Sequence, residues 1–222
     1  MHLDRMHDWD VTPEEAVALQ KRLRSLVVSD QPIDLSAVRL VAGVDVSVKD
    51  DVSHAAVVVV TFPGFLLVET ALARMPTPFP YIPGLLGFRE GPVLEEAFGK
   101  LRAEPDVLLF DGMGTAHPRR CGIACHMGLW LGRSTIGCGK TRLVGRHGPV
   151  PDERGGFSPM TDRGETIGAA LRTRAGTLPM FISPGHLADL ASAVALVMAC
   201  SPKFRLPEPI RMAHKAAGAF EA

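Results

Sequence analysis

Three carboxylates occupy places in the sequence where a charge needs a specific reason. Asp45 interrupts the apolar run 41–48, Asp111 ends the apolar run 107–110, and Glu90 lies at the edge of a helical stretch. A carboxylate in a buried strand is costly unless it is paired or binds a metal. Taken together, the three indicate a site for a hard cation such as Mg²⁺, which prefers oxygen ligands. Each alone has an ordinary alternative: an arginine partner for Asp45, a loop cap for Asp111 and a helix cap for Glu90.

His214 is a further candidate ligand for such a cation. It lies near the C-terminal end of the sequence, on a helix expected after Pro207–Pro209. From the residues alone, an isolated histidine at that place favours a surface or core position over a metal ligand.

Charge is distributed unevenly along a chain whose net charge is zero. Residues 1–111 carry 17 acidic and 10 basic residues, and residues 112–222 carry 7 acidic and 14 basic residues. The stretch between Asp111 and Asp152 contains no acidic residue, and its basic segment runs from Arg119 to Arg146. Such a segment is typical of a polyanion-binding surface. The alternative is a solvated face whose acidic partners come from elsewhere in the fold.

Composition excludes several classes of protein. The 222 residues are 46% hydrophobic and 22% charged, which is unlike a disordered chain. No apolar run reaches the roughly 18–20 residues of a membrane span, and the mixed, charged N-terminus is unlike a signal peptide. Four cysteines without a CxxC pair do not form a disulfide framework. We therefore expect a cytoplasmic protein with no membrane partner, folded as a single domain over 1–222.

The elements that must position these residues follow from hydrophobic periodicity and turn residues. A helix is expected after Thr12, which can cap it. Strands at 39–48, 55–62 and 65–73 are separated by short turns and so favour antiparallel hairpins. Helices and strands then alternate, which indicates an α/β fold with a mixed sheet. The later expectations are helices at 93–103, 122–131 and 187–200, strands at 107–110, 135–138, 166–171 and 180–183, and a long surface loop at 146–164.

Five strings of the sequence resemble the endonuclease V family of deoxyinosine-directed DNA repair nucleases. They are VAGVDV (41–46), PYIPGLLGFRE (80–90), PDVLLFDGMGTAHPRR (105–120), TIGCGKTRL (135–143) and RLPEP (205–209). The resemblance implies an RNase H-like fold, in which the first and fourth strands are neighbours. It implies metal ligands at Asp45, Glu90 and Asp111, with His214 as a further group near the metal. It also implies a catalytic lysine at Lys140.

The same resemblance suggests how the substrate is held. Tyr81 lies between Pro80 and Pro83, next to Ile82, and corresponds to the family's wedge, which fills the gap left by an extruded base. Without the resemblance, a half-buried aromatic that pins the proline loop is the simpler interpretation. Candidates for the pocket of the extruded hypoxanthine are Gly84, Leu85, Gly112 and Ile123. His117 and Arg119 are expected to contact backbone phosphates.

The sequence departs from the family pattern at two places. Met113 stands where the family often has His or Asn, and Cys138-Gly139 stands where Val-Ala is common, which predicts looser packing beside Lys140. Cys121 and Cys125 lie near two histidines, but we favour small core residues over a structural zinc site. A phosphate at Gly185-His186, before the helix expected at 187, is a further alternative to a simple turn.

The resemblance implies an endonuclease that cuts the second phosphodiester bond 3′ of deoxyinosine and leaves 3′-hydroxyl and 5′-phosphate ends. We expect Mg²⁺ as the cofactor, with Mn²⁺ as the alternative, single- or double-stranded DNA as the partner, and a monomer. Two other functions stay open. One is a ribonuclease for inosine-containing RNA, and the other is a non-catalytic module that binds nucleic acid through the basic segment.

Overall fold

Helices and strands are described over residues 1–219 of the computed structural model; residues 220–222 of the expected domain lie outside the described part. The helices are α1 (Pro13–Arg24), α2 (Leu86–Lys100), α3 (Ile123–Leu131), α4 (Leu190–Ala199) and α5 (Glu208–Ala219). The strands are β1 (Leu40–Lys49), β2 (Val52–Thr61), β3 (Leu67–Pro76), β4 (Val107–Phe110), β5 (Ser134–Gly139), β6 (Arg146–His147), β7 (Phe157–Asp162), β8 (Glu165–Leu171) and β9 (Met180–Pro184). Over this part of the chain, no helix combines the length and apolar character needed to span a membrane.

The strands join into one mixed sheet with the order β3-β2-β1-β4-β5-β9-β8-β7-β6. β1, β2 and β3 form the expected antiparallel hairpins, whose β-branched residues suit a pleated and buried surface. β1 runs parallel to β4, and β4 runs parallel to β5, so the carboxyl ends of these strands meet at one edge. The expectation that the first and fourth strands are neighbours is confirmed.

Helices cover both faces of the sheet. On one face, α2 and α3 pack against β1, β2 and β4 through a large apolar cluster. On the other face, α4 packs against β5, β8 and β9, and α5 packs against β1 and β2. Gly43 explains how close α5 comes, because any side chain there would overlap the backbone of Pro209 and Ile210. This close approach places the following turns of α5 beside the middle of β1.

α1 begins where the sequence indicates. The hydroxyl of Thr12 accepts a hydrogen bond from the backbone N–H of Glu15, and the Glu15 carboxylate accepts one from the N–H of Thr12. This reciprocal pair satisfies two of the free N–H groups at the helix start. The helix is therefore fixed at its N-terminus, which sets where its later residues meet α3.

Three expectations about boundaries are wrong. α2 begins at Leu86 and not at 93, because burial of Gly87 and Phe88 outweighs the preference of Pro92 for a first turn. The loop expected at 146–164 contains β6 and β7, whose Gly and Pro residues hid a pairing with β8. α4 begins at Leu190 with Asp189 as its cap, so Gly185-His186 does not start a helix.

Candidate active site and substrate cavity

Two carboxylates and a histidine meet at the centre of the sheet. Asp45 lies in β1, and Asp111 follows β4, whose chain is held alongside by a bond from the Asp111 N–H to the Val44 carbonyl at 3.0 Å. His214, on α5, brings Nδ1 to 2.7 Å from Oδ2 of Asp45. Each of the three offers a ligand atom, and these atoms all lie within 4.8 Å of one another. Residues 169 positions apart therefore form one compact donor set.

Burial makes this site electrostatically unusual. The pKa of Asp45 is raised to about 6, first by burial and then by the neighbouring charge of Asp111. Burial also raises the pKa of Glu90 well above its usual value, with further contributions from Asp45 and Asp111. Lys140 forms an ion pair with Oδ2 of Asp111. The charge of Asp111 adds to the raised pKa of both Asp45 and Glu90, so a positive charge beside these groups is favoured, and an oxygen-rich set with one histidine fits a divalent cation.

Glu90 lies in the second turn of α2, not at the helix edge that the sequence indicates. The N-cap of α2 is Leu85, and no side chain caps this end, so the alternative of a capping role for Glu90 is wrong. Glu90 is outside the 4.8 Å group formed by Asp45, Asp111 and His214. The charges of both aspartates nevertheless add to its raised pKa, as expected for a carboxyl group within electrostatic range of them.

A cavity of about 290 Å³ opens directly beside the acidic group. Asp111 and Lys140 belong to its wall, so the cavity and the carboxylates form one continuous site. Six of the substrate-binding candidates line it: Tyr81, Ile82, Gly84, Gly112, His117 and Ile123. Pro80, Leu85 and Arg119 do not, and the side chain of Leu85 is instead buried among Ala16, Phe79 and Phe88. Leu85 as a pocket residue is therefore corrected to a core residue that supports the loop.

Tyr81 projects from the cavity mouth into solvent, with 72% of its surface exposed. The alternative of a half-buried ring that pins the proline loop does not match this exposure. Nearby, Arg89 donates from Nη1 to the carbonyl of Phe79 at 2.7 Å and holds the loop from below. Tyr81 therefore lines the cavity and is exposed to solvent at its entrance.

One backbone carbonyl organises the cavity wall. The carbonyl of Gly84 accepts hydrogen bonds from Nε2 of Gln20 at 3.0 Å, Nε2 of His117 at 2.9 Å and Nη2 of Arg119 at 2.7 Å. Gly84 has a φ of +84°, a conformation that favours glycine. The loop that carries Tyr81 is therefore fixed through its main chain by three side chains.

The expected phosphate contacts of His117 and Arg119 are corrected by this arrangement. His117 is buried, its Nδ1 accepts from the N–H of Arg119, and its pKa is lowered to about 4, chiefly by burial. A neutral imidazole with both nitrogens engaged is unsuited to gripping phosphate. Arg119 directs Nε to Oε1 of Gln20 at 2.6 Å, so its guanidinium is also committed to the cavity wall.

Gln20 was not among the residues singled out from the sequence. Its side chain is 1% exposed, and its Nε2 bonds both the Gly84 carbonyl and the Cys121 carbonyl. In the sequence, Gln20 is a polar residue that lies between Leu19 and Leu23 of the apolar stripe of α1. A polar residue on the buried face of an amphipathic helix is the one signal that could have found it.

Several residues of the basic segment have acidic partners from distant parts of the chain. Arg120 pairs with Asp162 and Glu165, Arg133 with Glu104, and Lys140 with Asp111. For these residues, the alternative of compensating acids from elsewhere in the fold is correct. The segment 119–146 therefore does not form one uniform polyanion-binding face.

The cysteines behave as core residues. Cys121 and Cys125 are buried with Leu23 and Leu129, and all four cysteines of the chain are free thiols. Burial raises the pKa of Cys121 to about 12, which disfavours the thiolate that zinc requires. Among residues 1–219, the group of Asp45, Asp111 and His214 is the only metal-compatible cluster.

Comparisons with known proteins agree with this geometry. The family model described as Endonuclease V matches residues 21–215. Endonuclease V of Trichormus variabilis is 47% identical over 219 residues, covering 98% of this chain and 99% of the relative. The crystal structure of the Bacillus subtilis Endonuclease V superposes with a TM-score of 0.94 at 30% identity, covering 100% of this chain and 97% of the other.

A third similar structure contains nucleic acid. It is Ciona intestinalis Endonuclease V in complex with a 24mer DNA containing an inosine followed by a ribo-adenosine. It superposes with a TM-score of 0.82 at 27% identity over 94% of this chain and 97% of the other. The mixed sheet flanked by helices is the RNase H-like fold expected from the sequence. The chain belongs to the endonuclease V family and is a DNA endonuclease.

Proposed function

We propose that this endonuclease recognises deoxyinosine in DNA and hydrolyses the second phosphodiester bond on its 3′ side, leaving 3′-hydroxyl and 5′-phosphate ends. The observation that carries the proposal is the shared wall between the cavity and the acidic group, formed by Asp111 and Lys140. A base held in the cavity brings the following backbone within reach of the carboxylates. For this reason we prefer a catalytic function to the alternative of a non-catalytic module that binds nucleic acid.

The metal ligands in this proposal are Asp45, Asp111 and His214. Glu90 does not bind the metal directly in this proposal. Held by the three ligands, Mg²⁺, or Mn²⁺ as the alternative, would supply Lewis-acid stabilisation of the phosphoryl oxygens and activation of the attacking water. Lys140 stabilises the negative charge that develops on the phosphate. His214, with Nδ1 engaged by Asp45, keeps its Nε2 for a ligand or a proton. Glu90 orients a water molecule from the side of α2.

Base recognition uses the cavity and its mouth. An extruded base is read by hydrogen bonds to its edge and by stacking in a close-fitting pocket. The walls offer small residues and backbone groups at Gly84, Gly112 and Gly122, with Ile123 as an apolar surface. Tyr81, exposed at the mouth, takes the place of the extruded base in the stack. Ile82 and Pro80 hold the loop on either side of it.

The first experiment uses end-labelled DNA with one deoxyinosine, incubated with Mg²⁺ and, separately, with EDTA. The matched control strand has adenine at the same position. We expect one cut, at the second bond 3′ of the inosine, which disappears in EDTA. Equal cleavage of the adenine strand would contradict the lesion assignment, and cleavage in EDTA would contradict the metal assignment.

A ribonuclease for inosine-containing RNA is the second candidate. It is favoured by the Ciona relative, whose bound DNA has a ribo-adenosine directly after the inosine. The same sequence should therefore be tested as DNA, as RNA and as DNA with one ribonucleotide after the inosine. Cleavage of the DNA strand supports the repair function, and cleavage restricted to strands with the ribonucleotide supports the alternative.

Three further properties belong to the proposal. We propose that the chain acts as a single domain over 1–222, as a monomer and in the cytoplasm. All four cysteines are buried free thiols, which is compatible with a reducing compartment. Sedimentation of the protein with and without inosine-containing DNA tests the monomer directly.

A further inference from the structure

A second hollow on the surface is unusually rich in cations. This basic notch, of about 300 Å³, is lined by Lys21, Arg24, Pro118, Arg119, Arg120, Arg163 and Glu165. Its cations come from α1, from the segment after the Asp111 loop and from the turn between β7 and β8. The notch therefore shares only Arg119 and Arg120 with the basic segment 119–146, and its other cations come from outside that segment.

Cations of the notch differ in how strongly they are already paired. Arg120 donates to both Asp162 and Glu165, at 2.8 Å in each case, so it is the cation that is paired most closely with these two acids. Arg24 approaches Glu165 only to 3.7 Å, and Arg163 approaches Asp162 only to 3.9 Å. The side chain of Arg163 is 77% exposed. Weak, exposed pairs of this kind contribute little to stability, so their cations can exchange acidic partners for a phosphate.

Lys21 adds a third exposed cation on the same side. It follows Gln20 in α1, and Gln20 bonds the Gly84 carbonyl in the wall of the substrate cavity. Arg119 joins the two hollows as well, because it lines the notch and bonds the same carbonyl. The notch therefore lies directly behind the cavity wall formed by Gln20, Gly84 and His117.

The position of the notch defines a direction for a bound strand. The carboxylates stand by the cavity wall that contains Asp111 and Lys140, whereas the notch adjoins the wall that contains Gln20 and His117. A strand with its base in the cavity and its 3′ backbone at the carboxylates leaves its 5′ side toward the notch. We propose that the basic notch binds the phosphates of the nucleotides 5′ to the lesion, through Lys21, Arg24 and Arg163. The 5′-to-3′ direction of the bound strand in this inference rests on the proposed function.

The test measures binding in EDTA, so that cleavage does not enter. Single-stranded inosine oligonucleotides carry six nucleotides on the 3′ side and zero to six on the 5′ side. For the wild-type protein, affinity should rise as 5′ nucleotides are added. In K21S/R163S, this rise should disappear. The negative slope of log affinity against log salt should become shallower by roughly 1.4, at about 0.7 per lost phosphate contact. At 0.1 M salt, that corresponds to about 25-fold weaker binding of the longest strand.

The matched control removes two cations that do not line the notch. Arg102 follows α2, and Arg133 precedes β5, where it forms an exposed pair with Glu104. R102S/R133S should keep the wild-type salt slope and the wild-type dependence on 5′ nucleotides. An unchanged slope in K21S/R163S, or a loss confined to 3′ nucleotides, overturns the proposal. Equal binding of inosine and adenine strands by the wild type would instead contradict the proposed function, and the salt slopes would still report on the notch.

Discussion

Met113 lies so close to Gly139 that a Cβ at position 139 would require the end of the Met113 side chain to move. The position that a Cβ would take is 2.9 Å from Sδ of Met113, and Cε lies closer still. The two departures from the family pattern therefore compensate each other, since the thioether fills the space beside the glycine. Cys138 is fully buried as well, so the looser packing expected beside Lys140 is wrong.

This contact predicts the effect of a small-to-large substitution. Gly139→Ala should lower the free energy of unfolding by about 1 kcal/mol, because the Met113 side chain must move to make room for the added methyl group. In the background of Met113→Ala, the same change should cost much less, because the obstructing side chain is gone. Urea unfolding of the four proteins of this double-mutant cycle gives the coupling. Strictly additive effects would contradict the compensation.

Gly84 should be intolerant of any side chain. Gly84→Ala places a Cβ at a φ of +84° and 2.9 Å from Nη2 of Arg119, so both strain and loss of the carbonyl bonds follow. We expect a cost of at least about 1 kcal/mol and a loss of preference for inosine over adenine. The control is Gly99→Ala in α2, where a Cβ meets nothing within 4 Å. That change should stabilise the protein by roughly 0.5–1 kcal/mol. Equal behaviour of the two variants would exclude the proposed role of the Gly84 conformation.

Metal affinity should depend on pH below neutrality. In the metal-free protein, the pKa of Asp45 is raised to about 6, so Asp45 is protonated at lower pH and a metal must displace that proton. Titration calorimetry with Mn²⁺ should show affinity falling about tenfold per pH unit below pH 6, with proton release. Affinity that stays constant from pH 6.5 to 5 would contradict the assignment of Asp45 as a ligand.

Acid should weaken the cavity wall through His117. Its pKa in the folded state is lowered to about 4, whereas an unfolded histidine titrates near 6.5. The unfolded chain therefore binds more protons between pH 4 and 6.5, so this contribution is fully present above pH 6.5 and is lost as pH falls toward 4. The loss amounts to about 3 kcal/mol. In His117→Gln, the free energy of unfolding measured in urea should fall less between pH 7 and 4.5 than in the wild type.

Arg205 should position the segment that carries Lys140. Its Nη2 donates to the carbonyls of Lys140 at 2.8 Å and Pro179 at 3.0 Å, and its Nε donates to that of Leu178 at 2.8 Å. Arg205→Lys cannot reproduce this planar fork, so we expect kcat to fall by roughly tenfold or more. The control is Arg154→Lys, which removes a similar fork to the Met198 and Ser201 carbonyls. A loss of kcat equal in both variants would indicate a general effect on folding.

Sequence reasoning succeeded where a residue breaks a strong local pattern. Asp45 stands out because it interrupts an apolar strand, and Asp111 because it ends one. Gln20 and the Gly84 carbonyl remained hidden, because their importance depends on contacts between residues 64 positions apart. Their meeting is set by the packing of α1 on α3, which no local periodicity describes. For the same reason, His117 and Arg119 looked like phosphate ligands, although the fold turns them inward.

The contact between Asp45 and His214 has a practical consequence for dividing the chain. A cut in the exposed segment 151–155 would leave Asp45, Glu90, Asp111 and Lys140 on one fragment and His214 on the other. Neither piece alone contains the aspartate–histidine pair, and the sheet is divided between β6 and β7. Nicking of an inosine-containing strand would then depend on reassembly of the two pieces. Fused to two other proteins, such halves would report the association of those proteins by an enzymatic signal.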